Sequence, residues 1–217
     1  MTSPTRTIVL ATGNAHKVEE LRAILGPAVP HLRLLGLGDL PGPFAEPAET
    51  GATFEANAAI KARAYAAATG MECLADDSGI EIDALSGKPG VISSHYCTDG
   101  VETGMTREAR DAANNQRVLR ELEGVAPDRR GARFVCVIAL AGPGDAPVRL
   151  FRGAFEGRIG LPPRVPAGSH GFGYDPLFLV APDFASTGAE LDPAEKNRLS
   201  HRAQAAALLA AWLASQA

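Results

Sequence analysis

The sequence predicts an α/β protein built on a mixed β-sheet. Three observations lead there. A short β-rich run, "TIVLA" (Thr7–Ala11), stops at "TGN" and gives way to a helical pattern in "HKVEELRAIL". Two strong strand patterns, "ARFVCVIALAG" and "VRLFRGAFEGRI", are joined by "PGDAP", the signature of an antiparallel pair. Helical and strand patterns alternate along the rest of the chain, with βα and hairpin connections together and no internal repeat.

Each element follows from local signals. In the first helix Val18, Leu21, Ile24 and Leu25 fall at helical spacing, Asn14 stands at the N-cap, and Gly26-Pro27 is expected to stop it. Strand, glycine-containing turn and helix form a unit that presents helix N-terminal amides to an anion. "LRLLGL" reads as a second strand, and "PGPFAEPAETG" as a proline-rich loop of the kind that carries function. Thr53 caps a long alanine-rich helix, "FEANAAIKARAYAAAT", which Gly70 closes. "ECLAD" is a third strand, expected to end at Asp76-Asp77-Ser78-Gly79, and "SGKPG" is a turn. A helix covers Thr106–Leu122. After a Gly/Pro-rich stretch, "LFLV" is a short strand. Asp192, Pro193 and Glu195 form a capping-box start for "LDPAEKNRL", and Ser200 caps a final helix.

The totals narrow the function. The chain has 217 residues, 46% of them hydrophobic, and is read as one domain over 1–217 without an internal boundary. A net charge of −4 argues against a binder of nucleic-acid polymers, yet leaves room for a small phosphorylated ligand. Cys73, Cys97 and Cys136 form no CxxC; Cys73 and Cys136 read as buried thiols, which fits a reducing compartment. No apolar run is long enough for a signal peptide or a bilayer span, so a soluble cytoplasmic protein is expected.

Four features carry candidate chemistry. Of 21 cationic residues only Lys17, Lys61, Lys88 and Lys196 are lysines. Lys17, Lys61 and Lys196 are either solvated surface residues or compact point charges set around phosphates. Asp76 and Asp77 are either part of a turn or a metal site; as neighbours in an extended chain they face opposite sides, so one of them serves a site and the other braces the backbone. With Glu49, one of them suits magnesium, which takes one or two carboxylates plus phosphate oxygens. "HGFGYDP" holds Phe172 between Gly171 and Gly173, as a stacking surface for a base or as a hydrophobic plug. In Ser200-His201-Arg202, cationic side chains open a helix against its dipole, either as exposed residues or as a functional group. P-loop, Rossmann, GxSxG and HExxH patterns are all missing from the sequence.

Six stretches, "LATGNAHKVEEL", "ETGATFEANAAIKA", "ADDSGIEIDAL", "GKPGVIS", "GFGYDPLF" and "AELDPAEKNRLSHRAQA", occur in that order over nearly the whole chain. Together they resemble the noncanonical purine nucleoside triphosphate pyrophosphatases, a family that includes inosine triphosphate pyrophosphatase. The resemblance implies hydrolysis of ITP, dITP and XTP to the monophosphate and pyrophosphate, which cleanses the nucleotide pool. It implies a magnesium requirement, a homodimer, and an elongated two-lobed α/β fold around a central mixed sheet, with the nucleotide in a cleft between the lobes. Carried onto this chain, Thr12, Gly13, Asn14, Ala15, His16 and Lys17 form the phosphate-side loop. Asp77 matches the catalytic carboxylate, acting as base and metal partner, with Ser78 beside it. Glu49 matches a metal-associated glutamate, and Asn57 and Lys61 face the phosphates. Phe172, Gly173, Tyr174 and Asp175 match the base-binding loop; Lys196, His201 and Arg202 match residues that contact the base. Asp76 is left to support the turn.

One departure stands out. The family usually has Ser-Ala-Arg-Tyr where this chain has Ser93-Ser94-His95-Tyr96, so the arginine's ion pair or dimer contact is in doubt. A histidine there introduces a titratable group. Two other readings compete. The septum-inhibition type of nucleotide pyrophosphatase opens with Ser-x-Ser-Pro-Arg-Arg, unlike Thr12-Gly13-Asn14-Ala15-His16-Lys17. A nucleotide-binding protein without turnover would not need Glu49, Lys61 and Asp77 together.

Overall fold

The structure is a computed structural model that describes residues 6–12 and 15–216, with the side chains of 15–17 and 20 excepted. In chain order the main elements are β1 (Arg6–Leu10), α1 (Ala15–Ala28), β2 (Leu32–Gly36), α2 (Phe54–Thr69), β3 (Cys73–Ile82), α3 (Arg107–Glu121), β4 (Gly131–Ala141), β5 (Arg149–Ile159), β6 (Phe178–Val180), α4 (Pro193–Leu199) and α5 (His201–Ala214). The strands form one six-stranded sheet in the order β2-β1-β3-β4-β5-β6. β1 runs parallel to β2 and to β3, with Ile8 opposite Leu34 and Leu10 opposite Leu74. β5 and β6 are antiparallel. The sheet is therefore mixed, as expected.

The chain divides into two compact units. Unit 1 comprises 1–77, 136–153 and 202–217; unit 2 comprises 78–135 and 154–201. The divisions fall inside β3, β4 and β5, so each of those strands supplies residues to both cores. In unit 1, Ile8 and Leu10 of β1, Leu21 and Leu25 of α1, and Leu209 and Leu213 of α5 are buried together. Alanines at 205, 206 and 210 give α5 a small-residue face buried in the same core. In unit 2, Ile80 and Ile82 of β3, Val118 of α3, Phe155 and Ile159 of β5, and Phe178 of β6 are buried together. Phe178 lies 4.7 Å from Phe134 and 5.6 Å from Phe155, ring to ring. Arg130, also buried, donates to the carbonyls of Val125 at 3.0 Å and Gly160 at 3.1 Å, and to that of Leu122. Those carbonyls satisfy a charge that would otherwise be costly to bury.

Three of the caps follow the sequence. Thr53 Oγ1 accepts from Ala56 N at the start of α2, and Gly70 closes that helix at φ +68°. Asp192 accepts from Ala194 N and Glu195 N at the start of α4. Cys73 and Cys136 are buried free thiols. The Asn14 cap lies outside the described residues.

Two expectations are corrected. Gly26-Pro27 does not stop α1, which continues through Ala28. The proline removes one N–H donor, but Val29 N still reaches Leu25 O at 2.9 Å, and fully buried Leu25 anchors the last turn. Nor is Asp76-Asp77-Ser78-Gly79 a turn: β3 runs straight through it to Ile82. Gly79 is there for close approach. A Cβ on it would collide with Ser93 Oγ and lie 2.7 Å from Gly90 O, because the 3-10 segment Gly90–Thr98 rests on the strand at that point. Ser93 Oγ accepts from Ile80 N at 2.9 Å and donates to Gly90 O, tying segment to strand.

Candidate active site

In unit 1, three charged side chains from a loop, a helix and a strand meet. Lys61 of α2 lies 3.0 Å from Glu49 Oε1 and 3.4 Å from Asp77 Oδ1. The Lys61 and Asp77 side chains are each 12% exposed, whereas Glu49 stands open on its loop at 37%. Asp77 Oδ2 is buried without a hydrogen-bond partner among the described residues. Burial pushes the Asp77 carboxyl above the usual carboxylate range, and the Glu49 charge adds to that, against Lys61 and the Asn57 amide. Burial lowers the Lys61 pKa, but Asp77 and Glu49 together outweigh it and hold the ammonium above its ordinary value. One cation thus serves two carboxylates, one of which keeps a buried oxygen for another partner.

The loop bearing Glu49 is pinned by Asn57. Gly51 N donates to Asn57 Oδ1 at 2.7 Å, and a Cβ on Gly51 would lie 2.6 Å from the Ala56 methyl. Buried Asn57 therefore ties the Glu49 loop to α2, the helix that carries Lys61. Asp76, on the other face of β3, has Arg202 Nη2 3.7 Å from its Oδ2, with side-chain exposures of 3% and 8%. Its observed partner is this arginine, in place of the expected turn. Thr12 is half-buried, its N–H on Leu10 O at 3.0 Å. Gly13 and Asn14 lie outside the described residues, as do the side chains of Ala15, His16 and Lys17.

Unit 2 holds the second group. Phe172 is 58% exposed, in a loop where Gly171 and Gly173 take φ of +74° and +62°. Asp175 is buried beneath it and accepts from Phe172 N at 2.8 Å and from Lys196 Nζ. Gly171 is required there: a Cβ would collide with Asp175 Oδ2 and lie 2.8 Å from Lys196 Nζ. The glycine makes room for that ion pair. Tyr174 is a core residue whose hydroxyl donates to Ser93 O at 2.7 Å. The Lys196 ammonium sits 5.6 Å from the Phe172 ring centre, and Arg107 is closer, at 4.4 Å. His201 stacks on Phe134, 5.4 Å between centres. Ser78, half-buried, follows Asp77 in β3.

Sequence reasoning missed Arg107, Asp111 and Asn115 of α3. Gly173 N donates to Asp111 Oδ2 at 2.9 Å, and Asn115 Nδ2 donates to Gly173 O at 3.0 Å. Spacing by four was the available signal, but it looks the same on any solvated helix face. At the departure from the family pattern, His95 Nε2 lies 2.7 Å from Glu102 Oε2 and 3.1 Å from Arg110 Nη1, and Nδ1 lies 2.8 Å from Ser94 Oγ. His95 thus joins an ionic group of its own.

A model of the Ham1 family matches residues 8–212. The chain belongs to the Ham1 family. A dITP/XTP pyrophosphatase of Nocardia farcinica is 48% identical over 201 residues, covering 91% of this chain and 90% of that protein. Another from Pseudomonas aeruginosa is 46% identical, covering 93% and 94%. The HAM1 protein of Coxiella burnetii, 41% identical, superposes with a TM-score of 0.82 over 97% of this chain and 99% of the other. These agree with the family that the motifs resemble.

The implied magnesium ion can be tested against the residues present. No group of three or more His, Cys, Asp or Glu able to hold a metal occurs among the described residues, so there is no all-protein cage. Glu49 and Asp77, with the buried Asp77 Oδ2 lacking a protein partner, do suit an ion that completes its octahedron with water and substrate phosphate. The site fits.

Proposed function

We propose that this Ham1-family chain hydrolyses dITP, ITP and XTP to the nucleoside monophosphate and pyrophosphate. The observation that carries the reading is the Glu49–Lys61–Asp77 cluster on a chain nearly half identical to enzymes named for dITP and XTP. Lys61 binds a phosphate oxygen as a point charge. Asp77 takes the proton from the attacking water; the new P–O bond forms at the α-phosphorus, and the bridging oxygen leaves with pyrophosphate. Its raised pKa strengthens it as a base. Glu49 and Asp77 would hold magnesium, which would supply Lewis acidity at the phosphoryl oxygens. Asn57 keeps the Glu49 loop fixed against α2, the helix that carries Lys61.

In unit 2, the exposed ring of Phe172 offers a face to a purine. Lys196 can only donate hydrogen bonds and has three, so a 6-oxo purine satisfies a donor that a 6-amino purine leaves unpaired. Asp175 holds Lys196 and Phe172 together. No helix among the described residues is long and apolar enough to cross a membrane. A cytoplasmic homodimer is the assembly we propose, on the family resemblance and the free cysteines.

The test is pyrophosphate release from a panel of nucleoside triphosphates with and without magnesium. Release from ITP, dITP and XTP, absent in excess chelator and weak for ATP, supports the reading. Equal turnover of ATP, or full turnover in chelator, overturns it.

A further inference from the structure

Helix α3 and the Phe172 loop meet at three points on one stripe of the helix. Arg107, Asp111 and Asn115 follow one another at intervals of four, so their side chains share a face. Asp111 accepts the N–H of Gly173 at 2.9 Å, Asn115 donates to its carbonyl at 3.0 Å, and the Arg107 guanidinium lies 4.4 Å over the neighbouring ring. Arg107 Nε is also 3.9 Å from Asp111 Oδ2, which keeps the guanidinium in line with the helix.

This loop has particular need of an outside hold. Phe172 is more than half exposed, so burial does little to fix it. The glycines on either side have positive φ, a region open to glycine but closed to most residues, and therefore a segment with much freedom to lose. Tyr174 anchors the far side in the core and Asp175 takes the N–H of Phe172 at 2.8 Å, which leaves both backbone groups of Gly173 to be held from outside the loop. Without a hold on the Gly173 backbone, an exposed ring flanked by glycines would have to be ordered by its ligand, which weakens binding.

We propose that the α3 stripe is the positioning element for the Phe172 ring: Asp111 and Asn115 fix the backbone beside it, and Arg107 fixes the ring plane, presetting it for a purine. This rests on the reading of Phe172 as the purine platform given above. Arg107 stacks as a flat, weakly hydrated cation, a role a lysine would not fill equally. The residues position the ring and do not act on the reacting phosphorus.

The experiment is steady-state kinetics on the full chain with ITP, alongside inhibition by inorganic tripolyphosphate, which has the phosphates but no base. Arg107→Ala is expected to raise the KM for ITP about 2–5-fold, from the loss of one exposed cation–π contact. Asp111→Ala should raise it about tenfold, from the loss of a charge-assisted hydrogen bond. In both, kcat changes little and the tripolyphosphate inhibition constant stays put. Asp111→Asn, which keeps an acceptor, should restore most of the affinity. In a Phe172→Ala background, Arg107→Ala should have no further effect. Half-exposed Arg107 is removable without harm to the core, so the proposal stays open to refutation even if Asp111→Ala fails to fold. An unchanged KM in Arg107→Ala, or tripolyphosphate weakened in parallel with ITP, overturns the inference. If the unaltered chain turns over XTP but Phe172→Ala leaves its KM untouched, the platform reading itself has failed.

Discussion

Replacing Asp77 and Asp76 by asparagine, one at a time, separates the chemistry of this site from its structural support. Asparagine cannot take a proton from water, so Asp77→Asn should lose about 10²–10⁴-fold in kcat. Its stability should move the other way. Burial and the Glu49 charge raise the Asp77 pKa in the folded state, so the folded chain favours the protonated form. The ionised carboxylate therefore subtracts stability once pH rises past the unfolded value near ~3.9, and the full penalty applies above the folded one. Asparagine resembles the protonated form, so without metal Asp77→Asn should melt at or above the parent at pH 7. That advantage should vanish as pH falls below about 4.

Asp76→Asn should do the reverse. It takes the charge from a buried pair with Arg202, whose side chains are 3% and 8% exposed. Outright removal of one partner of such a pair costs about 3–5 kcal/mol; asparagine keeps an acceptor, so about 2 kcal/mol is expected. For a chain of this size that lowers Tm by about 4–8 °C. Paired melting curves from pH 3 to 8 and single-turnover rates on both variants provide the assay. If Asp76→Asn loses more activity than Asp77→Asn, or Asp77→Asn melts below it, the assignment of the two carboxylates is wrong.

Three other outcomes follow from the same geometry. Lys196→Met should narrow the ITP-over-ATP ratio in kcat/KM by about tenfold, since one unpaired buried donor is worth roughly 1–3 kcal/mol; an unchanged ratio removes Lys196 as a selector. Phe172→Ala should weaken ITP and ATP by similar factors, because stacking does not read the 6-position; a selective loss of ITP would contradict that. Gly79→Ala should destabilise the chain by about 1–3 kcal/mol, and Ser93→Ala should not rescue it, because the backbone oxygen of Gly90 remains in the way; a neutral Gly79→Ala would mean the strand and the 3-10 segment separate easily.

What could be read from the sequence was local. Thr53, Gly70 and Asp192 announce helix ends through bonds within a few residues, and the apolar spacing of Val18, Leu21, Ile24 and Leu25 is met in the core of unit 1. Resemblance brings Glu49, Lys61 and Asp77 together, and the structure sets Lys61 3.0 Å from Glu49 and 3.4 Å from Asp77. Hidden features depend on distant partners. Asp-Asp-Ser-Gly has the composition of a turn, and only Ser93 and Gly90 lying against it explain the glycine within a strand. Pro27 looks like a stop until Leu25 is seen to anchor the turn around it. Asp111 meets Gly173 across a separation of 62 residues, beyond any periodicity argument. Arg202 and Asp76 lie still farther apart in the chain, so their pairing was invisible as well.

The Glu49–Lys61–Asp77 cluster is proposed to direct water to a nucleotide's α-phosphorus and so release pyrophosphate. Phosphorus NMR of the products formed from XTP with magnesium in ¹⁸O-labelled water tests this most directly. Pyrophosphate without label and xanthosine monophosphate carrying one labelled oxygen are the expected products. Orthophosphate with xanthosine diphosphate, or label in the pyrophosphate, would contradict it.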